Sequence, residues 1–317
     1  MSFVNVQGVR LYYEVYGPVR SHHPPLLLIA GLGFATWSWF KQIPVLASHC
    51  QIIVFDNRGS GNSESLPQPY TVATLADDAA GLLDAFGVER AHVLGTSLGG
   101  FVAQELTLRY PERVAKLILC CTSFGGANSI PMDWSSLNAT MGWGTLSKTQ
   151  AIRRGLEVAT SADYRSAYPE EFAQLVNWRS GPQSQVDYIR QVAAGARFDA
   201  AQRVQTIAAP TLIIHGMNDR VVPVKNAELL AQAIPGATLQ LVDSAGHLVF
   251  IEQADEVNRA IMDFLPVARQ RPIPSILHEG KTVLAKPARP LGQVKKWLGQ
   301  RLHLFRTDED GNACRGS

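Results

Sequence analysis

The sequence predicts an α/β fold: a mostly parallel central sheet with an N-terminal antiparallel hairpin, helices on both faces, and a helical cap inserted after the sixth strand. Three observations predict it. Strand-sized runs that are apolar on both faces recur along the chain, segments of helical period separate them, and one interval of about 85 residues breaks the alternation.

The hairpin is residues 3–16, "FVNVQGVRLYYEVY", where apolar and polar positions alternate on either side of a Gln7-Gly8 turn. The apolar runs that follow are "LLLIAG" (26–31), "QIIVFD" (51–56), "AHVLGT" (91–96), "VAKLILCCT" (114–122), "PTLIIHG" (210–216) and "TLQLVDS" (238–244). Between them, "TLADDAAGLLDAFG" (74–87) lines Leu75, Ala79, Leu82, Leu83 and Phe86 along one helical face and stops at Gly87. Later helices stop at Pro111, Pro235 and Pro266.

The long interval, 124–205, is rich in aromatics, including Trp134, Trp143, Tyr164, Tyr168, Trp178 and Tyr188, and a connection of that length is expected to carry its own structure. It is expected to form a helical cap over the carboxyl ends of the strands, where open α/β sheets place ligands. The core is then 1–123 with 206–268, and 269–317 is a C-terminal extension.

Composition sets limits. At 317 residues, 46% hydrophobic and 18% charged, the chain can bury a large core and lacks the make-up of a disordered protein. Its apolar runs fall short of the roughly 20 residues of a membrane span, and the N-terminus has no signal-peptide pattern, so a cytoplasmic protein without stable membrane insertion is expected. Cys50, Cys120, Cys121 and Cys314 have no metal-ligand spacing. The net charge of +2 is unevenly spread: residues 269–317 hold ten Lys/Arg against four Asp/Glu, and residues 1–268 hold 19 against 23. A mildly acidic body gives no reason to expect a nucleic-acid partner.

The chemistry begins at Gly95-Thr96-Ser97-Leu98-Gly99, a G-x-S-x-G pentapeptide between a strand and a helix. A serine forced into a sparsely populated backbone conformation crowds its neighbours two residues away, so both must be glycine. A serine hydroxyl needs a base, and the base needs an orienting group. His247, in "VDSAGHLVFIEQ", follows a late strand and is freed by Gly246. Asp219, in "IIHGMNDRVVP", is the carboxylate just past strand 210–216; the end of strand 114–122 offers no acid, and Asp243 is too near His247 in sequence. Amide donors for a tetrahedral oxyanion are expected from Leu98, at a helix start, and Leu32, in the glycine-flanked "AGLGFATW" loop.

With these residues in place, residues 3–268 resemble the α/β-hydrolase fold superfamily, through "AGLG", "DNRGSGNS" (56–63), "GTSLGG" (95–100), "RYPERV" (109–114), "HGMNDRVVP" (215–223) and "AGH" (245–247). The nearest likeness is to small capped bacterial enzymes of the 3-oxoadipate enol-lactonase type and related carboxylesterases. Many relatives have His-Gly where this chain has Ala30-Gly31, which removes a side chain that braces the oxyanion loop. Ser97 stands where haloalkane dehalogenases and epoxide hydrolases carry aspartate.

The expected activity is therefore a serine hydrolase cleaving a small apolar carboxylic ester or lactone through an acyl-enzyme, without cofactor or metal. Hydrolysis of an activated C–C bond on the same triad and a ligand receptor with vestigial turnover are the alternatives. Trp37, Trp134, Trp143 and Trp178 are candidates for an aromatic-lined pocket. Arg153, Arg154, Arg165, Arg179, Arg190 and Arg197 lie in the cap interval, and the sequence does not choose among them for a carboxylate clamp. In the extension, residues 269–293 read as a proline-rich linker, "QVKKWLGQRLHLF" as a short basic amphipathic helix, and the last residues as disordered. That helix could dock on the body, touch an anionic membrane surface, or pair subunits into a homodimer.

Overall fold

A computed structural model describes residues 2–18, 23–141, 146–181 and 183–265. The extension beyond residue 265, with its expected linker and basic helix, and Trp143 lie outside the described residues.

Eight strands form one sheet in the order β1-β2-β4-β3-β5-β6-β7-β8. The hairpin β1 (Ser2–Val6) and β2 (Val9–Tyr16) turns at Gln7-Gly8, both at positive φ, and β2 runs antiparallel to β4. The others, β3 (Leu26–Ile29), β4 (Ile52–Phe55), β5 (Ala91–Thr96), β6 (Val114–Cys120), β7 (Thr211–Gly216) and β8 (Thr238–Val242), are parallel. β3, β4, β5 and β7 are buried along their whole length, which is what strands apolar on both faces require. Two strands end sooner than their apolar runs. β6 stops before Cys121 (φ 47°) and β8 before Ser244 (φ 56°), because left-handed backbone breaks the ladder.

Short α1 (Ile43–Leu46) precedes β4, and α2 (Val72–Ala85) follows it. Helix α2 starts two residues earlier than its apolar period suggests, because Thr71 and Thr74 form a reciprocal capping box. Helix α3 (Leu98–Arg109) follows β5 directly. Between β6 and β7 come α4 (Trp134–Met141), α5 (Lys148–Ala159), α6 (Ala162–Ala167), α7 (Pro169–Arg179) and α8 (Gln185–Ala196). The chain leaving β6 and the chain returning from α8 meet at a neck, where Gly125 bridges Asp199 and the Ala200 N–H donates to Phe124 O at 2.8 Å. Helices α9 (Lys225–Ala233), α10 (Val249–Glu252) and α11 (Ala254–Phe264) complete the body. Among the described residues no helix is long and apolar enough to cross a membrane.

The "DNRGSGNS" loop after β4 is fixed from inside. Asp56, fully buried, accepts from the Thr36 N–H at 2.6 Å and the Asn62 N–H at 2.8 Å. The Asn57 amide donates to Ala30 O at 3.1 Å, and Arg58 pairs with Asp78 on α2 through two contacts of 2.5 Å. This loop thereby locks the end of β3, where the "AGLG" turn begins.

Candidate active site

Ser97 sits between β5 and α3 with φ 52° and ψ −119°, a conformation that costs of order 1–3 kcal/mol for a non-glycine residue. The surroundings hold it there. Its N–H donates to Cys120 O at 2.9 Å, and its own carbonyl accepts from Thr122 Oγ1 at 2.9 Å and from the Gly100 N–H at 2.8 Å. A Cβ at Gly95 would overlap Gly99 O, and one at Gly99 would overlap Ile29 O, so both glycines are required by close backbone approach. Among the described residues the Ser97 hydroxyl makes no hydrogen bond.

The "AGLG" turn lies against this elbow: a Cβ on Gly31 would stand 3.3 Å from Ser97 Cβ. The Phe34 N–H closes the turn onto Gly31 O at 3.0 Å, with Gly33 at φ 65°. Among the described residues neither the Leu32 nor the Leu98 N–H has an acceptor. The Leu98 amide belongs to the first turn of α3, where no intrahelical acceptor exists.

Asp219 and His247 come from the loops after β7 and β8 and meet at 2.8 Å, Asp219 Oδ2 to His247 Nδ1. A carboxylate cannot donate, so His247 Nδ1 carries the proton and Nε2 is left as the basic nitrogen. Asp219 is saturated with donors: Oδ1 accepts from the Val221 and Val222 N–H groups, each at 2.8 Å, and Oδ2 also lies 3.1 Å from His215 Nε2. Burial alone would raise its pKa, but the His247 charge and these hydrogen bonds outweigh burial and hold it well below the usual carboxylate range. His215 Nε2 also faces Val222 O at 2.8 Å and so must carry a proton. Cys121, His215 and Asp219 bring ligand-type atoms within 4.8 Å of one another, although both Asp219 oxygens are already engaged by N–H donors.

The His247 loop is gripped from the inserted helices. Glu252 accepts from the Gly246 N–H at 3.0 Å and from the Ser161 N–H at 2.8 Å, and the Leu248 N–H donates to Ala159 O at 3.0 Å. Burial raises the Glu252 carboxyl against these stabilising bonds.

Trp37 and Trp178 pack at 5.5 Å between ring centroids, tilted by 39°, with Phe34 and Phe40 against them at 5.2 and 5.3 Å, forming an aromatic wall beside the "AGLG" turn. Trp134 takes no part in it. It is 74% exposed at the outward-facing start of α4. Among the cap arginines, Arg153 and Arg190 are paired with Glu157 and Asp187, and Arg165 donates to backbone carbonyls. Among the described residues, Arg179 is the cap arginine that reaches the turn, donating to Leu32 O at 3.2 Å. Gln191 belongs to no sequence motif, Arg179 is one of the cap arginines among which the sequence does not choose, and His215 opens the "HGMNDRVVP" motif without a role assigned to it. Gly195, one turn beyond Gln191, lies in the last turn of α8, where a glycine reads equally as a helix stop, so the sequence carries no clear signal for that approach.

A strained serine at a strand-to-helix elbow, with a carboxylate-held imidazole on the same rim of a largely parallel sheet, is the arrangement of a hydrolase. The chain belongs to the alpha/beta hydrolase fold family, whose description matches residues 24–254. It is similar to a RutD protein of Azorhizobium caulinodans, named as a carbamate hydrolase, at 32% identity over 282 residues, covering 83% of this chain and 98% of the relative. Two solved structures are alike in fold as well as sequence. The enol-lactonase of Burkholderia xenovorans LB400 gives a TM-score of 0.73 at 26% identity, covering 83% of this chain and 99% of that one. Est816, described as an N-acyl homoserine lactone degrading enzyme, gives 0.72 at 30% identity, covering 83% and 100%.

Proposed function

We propose that the protein is a serine hydrolase of carboxylic esters or lactones. The Ser97 oxygen attacks the carbonyl carbon while His247 Nε2 takes the hydroxyl proton. The carbonyl oxygen becomes an oxyanion facing the Leu32 and Leu98 amides. Collapse expels the alkoxide, which receives the proton from His247. Water then enters with His247 as base, and the acid product leaves with Ser97 restored. Asp219 orients the ring and stabilises the imidazolium.

The observation that carries this reading is the 2.8 Å Asp219–His247 contact, which leaves Nε2 as an acceptor on the rim that holds Ser97. Likeness to an enol-lactonase and to Est816, described as degrading an N-acyl homoserine lactone, supports the substrate class. A carbamate, named for the RutD relative, shares the carbonyl carbon that becomes tetrahedral. The wall of Trp37, Trp178, Phe34 and Phe40 favours a small apolar acyl or alkyl group. Residues 124–205 act as the cap over that group. The protein works on a small molecule, with no nucleic-acid partner and no stable membrane insertion, in the cytoplasm; subunit pairing through the extension is tested by light scattering with and without residues 270–317.

The test is covalent labelling. A fluorophosphonate should modify the protein at one site and Ser97→Ala should abolish it with the thermal midpoint retained; labelling that persists in the variant rejects Ser97 as nucleophile. Turnover of p-nitrophenyl esters of increasing chain length, simple lactones and carbamates then ranks the substrates.

A further inference from the structure

The turn expected to supply one oxyanion donor lacks its usual brace, since Ala30 stands where relatives carry histidine. The inserted helices hold it instead, and they hold one peptide unit at both ends. The Leu32–Gly33 N–H donates to Gln191 Oε1 on α8 at 3.0 Å, and the C=O of the same peptide accepts from Arg179 Nη2 at the end of α7 at 3.2 Å.

Each gripping side chain is itself fixed. Gln191 is fully buried, and its Nε2 donates to Ser60 Oγ at 2.6 Å and to Arg58 O at 3.4 Å, so its oxygen must face Gly33. Gln183 Nε2 donates to that same oxygen at 3.1 Å and to Gly59 O at 3.0 Å. Arg179 has no carboxylate partner among the described residues. Its guanidinium lies between the rings of Phe34 and Tyr188, at 5.4 and 5.2 Å, and rests on Gly33, where any Cβ would overlap it. One turn along α8 from Gln191, Gly195 abuts Leu98, so that a Cβ there would lie 3.1 Å from Leu98 Cδ1. Helix α8 therefore touches Leu98 and the Gly33 amide that follows Leu32.

We propose that Arg179 and Gln191 are positioning residues that clamp the Leu32–Gly33 peptide and thereby aim the adjoining Leu32 N–H at the oxyanion. A peptide held by only one of its two polar ends can rotate about the line through its flanking Cα atoms; held by both, it cannot. The Leu32 N–H belongs to the preceding Gly31–Leu32 peptide, whose carbonyl end is held by the Phe34 N–H at 3.0 Å; with the next peptide also clamped, the Leu32 torsions between the two planes are fixed and so is the direction of that N–H. The inference rests on the reading of Ser97 as nucleophile. It makes the oxyanion site depend on seating of the inserted helices on the body.

The experiment measures phosphonylation of Ser97 by a fluorophosphonate, in which the serine oxygen adds to phosphorus, negative charge builds on the phosphoryl oxygen and fluoride leaves, together with kcat and KM for p-nitrophenyl butyrate. The proteins are the full-length wild type, Gln191→Leu, Arg179→Met, the double variant and Arg179→Lys. Since a misplaced donor costs part of the roughly 10²–10³-fold worth of an intact one, each single variant should label and turn over about 10- to 100-fold more slowly, with KM changed less than about threefold. The double variant should fall short of the product of the two losses, because both act through one peptide. Arg179→Lys, which keeps a donor, should recover part of the rate. Unchanged kcat and labelling in folded variants, a loss confined to KM, or fully multiplicative losses would overturn the clamp. If Gln191→Leu does not fold, the Arg179→Met and Arg179→Lys pair decides. Ser97→Ala separates the two readings: if it is inactive while the clamp variants are normal, only the clamp falls; if it still turns over, or the wild type takes up no label, both fall.

Discussion

Asp219 and His247, 28 residues apart in sequence, are joined by a 2.8 Å hydrogen bond whose acceptor oxygen also lies 3.1 Å from His215. The imidazole proposed as the base is therefore held by a carboxylate that cannot easily move or become protonated. Asp219→Asn should lower kcat by about 10⁴-fold through loss of the correct tautomer, and His247→Ala by at least about 10³-fold. Steady-state ester kinetics on folded variants check both, and a smaller loss for His247→Ala would mean that another base serves.

The elbow is intolerant of even one methyl group. Gly99→Ala places Cβ against the Ile29 and Ala30 carbonyls, and Gly95→Ala places it against Gly99 O; none of these atoms is a flexible side-chain end. Each substitution should cost at least about 1–3 kcal/mol of stability by forcing backbone apart. Urea unfolding would show a lowered midpoint with an unchanged slope, and an unaltered midpoint would refute the close approach.

Asp56 should give stability a pH dependence. Burial, partly offset by the Asn62 and Thr36 amides, lifts its carboxyl from 3.8 to about 6. Between these values the folded chain keeps a proton that the unfolded chain has released. Stability from this group is therefore fully present below about pH 4 and declines as pH rises through about 6, by a total of the order of 3 kcal/mol. Comparing urea midpoints of wild type and Asp56→Asn at pH 4, 5, 6 and 7 isolates it: the wild type should lose ground to the variant across that interval, and parallel profiles would exclude the effect.

The Arg58–Asp78 pair is buried on both sides, with side chains 7% and 1% exposed. Removing one partner strands the other charge, so Asp78→Ala should destabilise by about 3–5 kcal/mol. Replacing both, as Arg58→Met with Asp78→Leu, should cost much less. Equal losses in the single and double variants, measured by thermal or urea unfolding, would show that the charges are not coupled.

Much of this was legible in the chain because it depends on local rules. Strands β3 to β7 announce themselves by being apolar on both faces, and Ser97 by two glycines that a strained turn demands. Asp219 and His247 were reachable because the chemistry asks for an acid and a base just past strand ends. Helix α1, between β3 and β4, leaves no sequence signal because its four residues are too few to show a period. Trp134 looked like a pocket residue because a tryptophan in a cap segment suggests burial, yet helix α4 turns it outward. Gln191 and Arg179 belong to no motif, and their roles arise from the approach of α7 and α8 to a turn about 150 residues earlier in sequence.

The neck at Gly125–Asp199 has a bearing on how such a molecule diversifies. Because the two chain passages are pinned to each other there, everything between residues 126 and 198 can lengthen, shorten or be exchanged without pulling on β6 or β7. A graft cut at that bridge should inherit the donor's selectivity while the host scaffold keeps its reacting groups, provided the incoming segment brings hydrogen-bonding groups of its own to the Leu32–Gly33 peptide and replaces the Ser161 N–H and Ala159 carbonyl that hold the His247 loop.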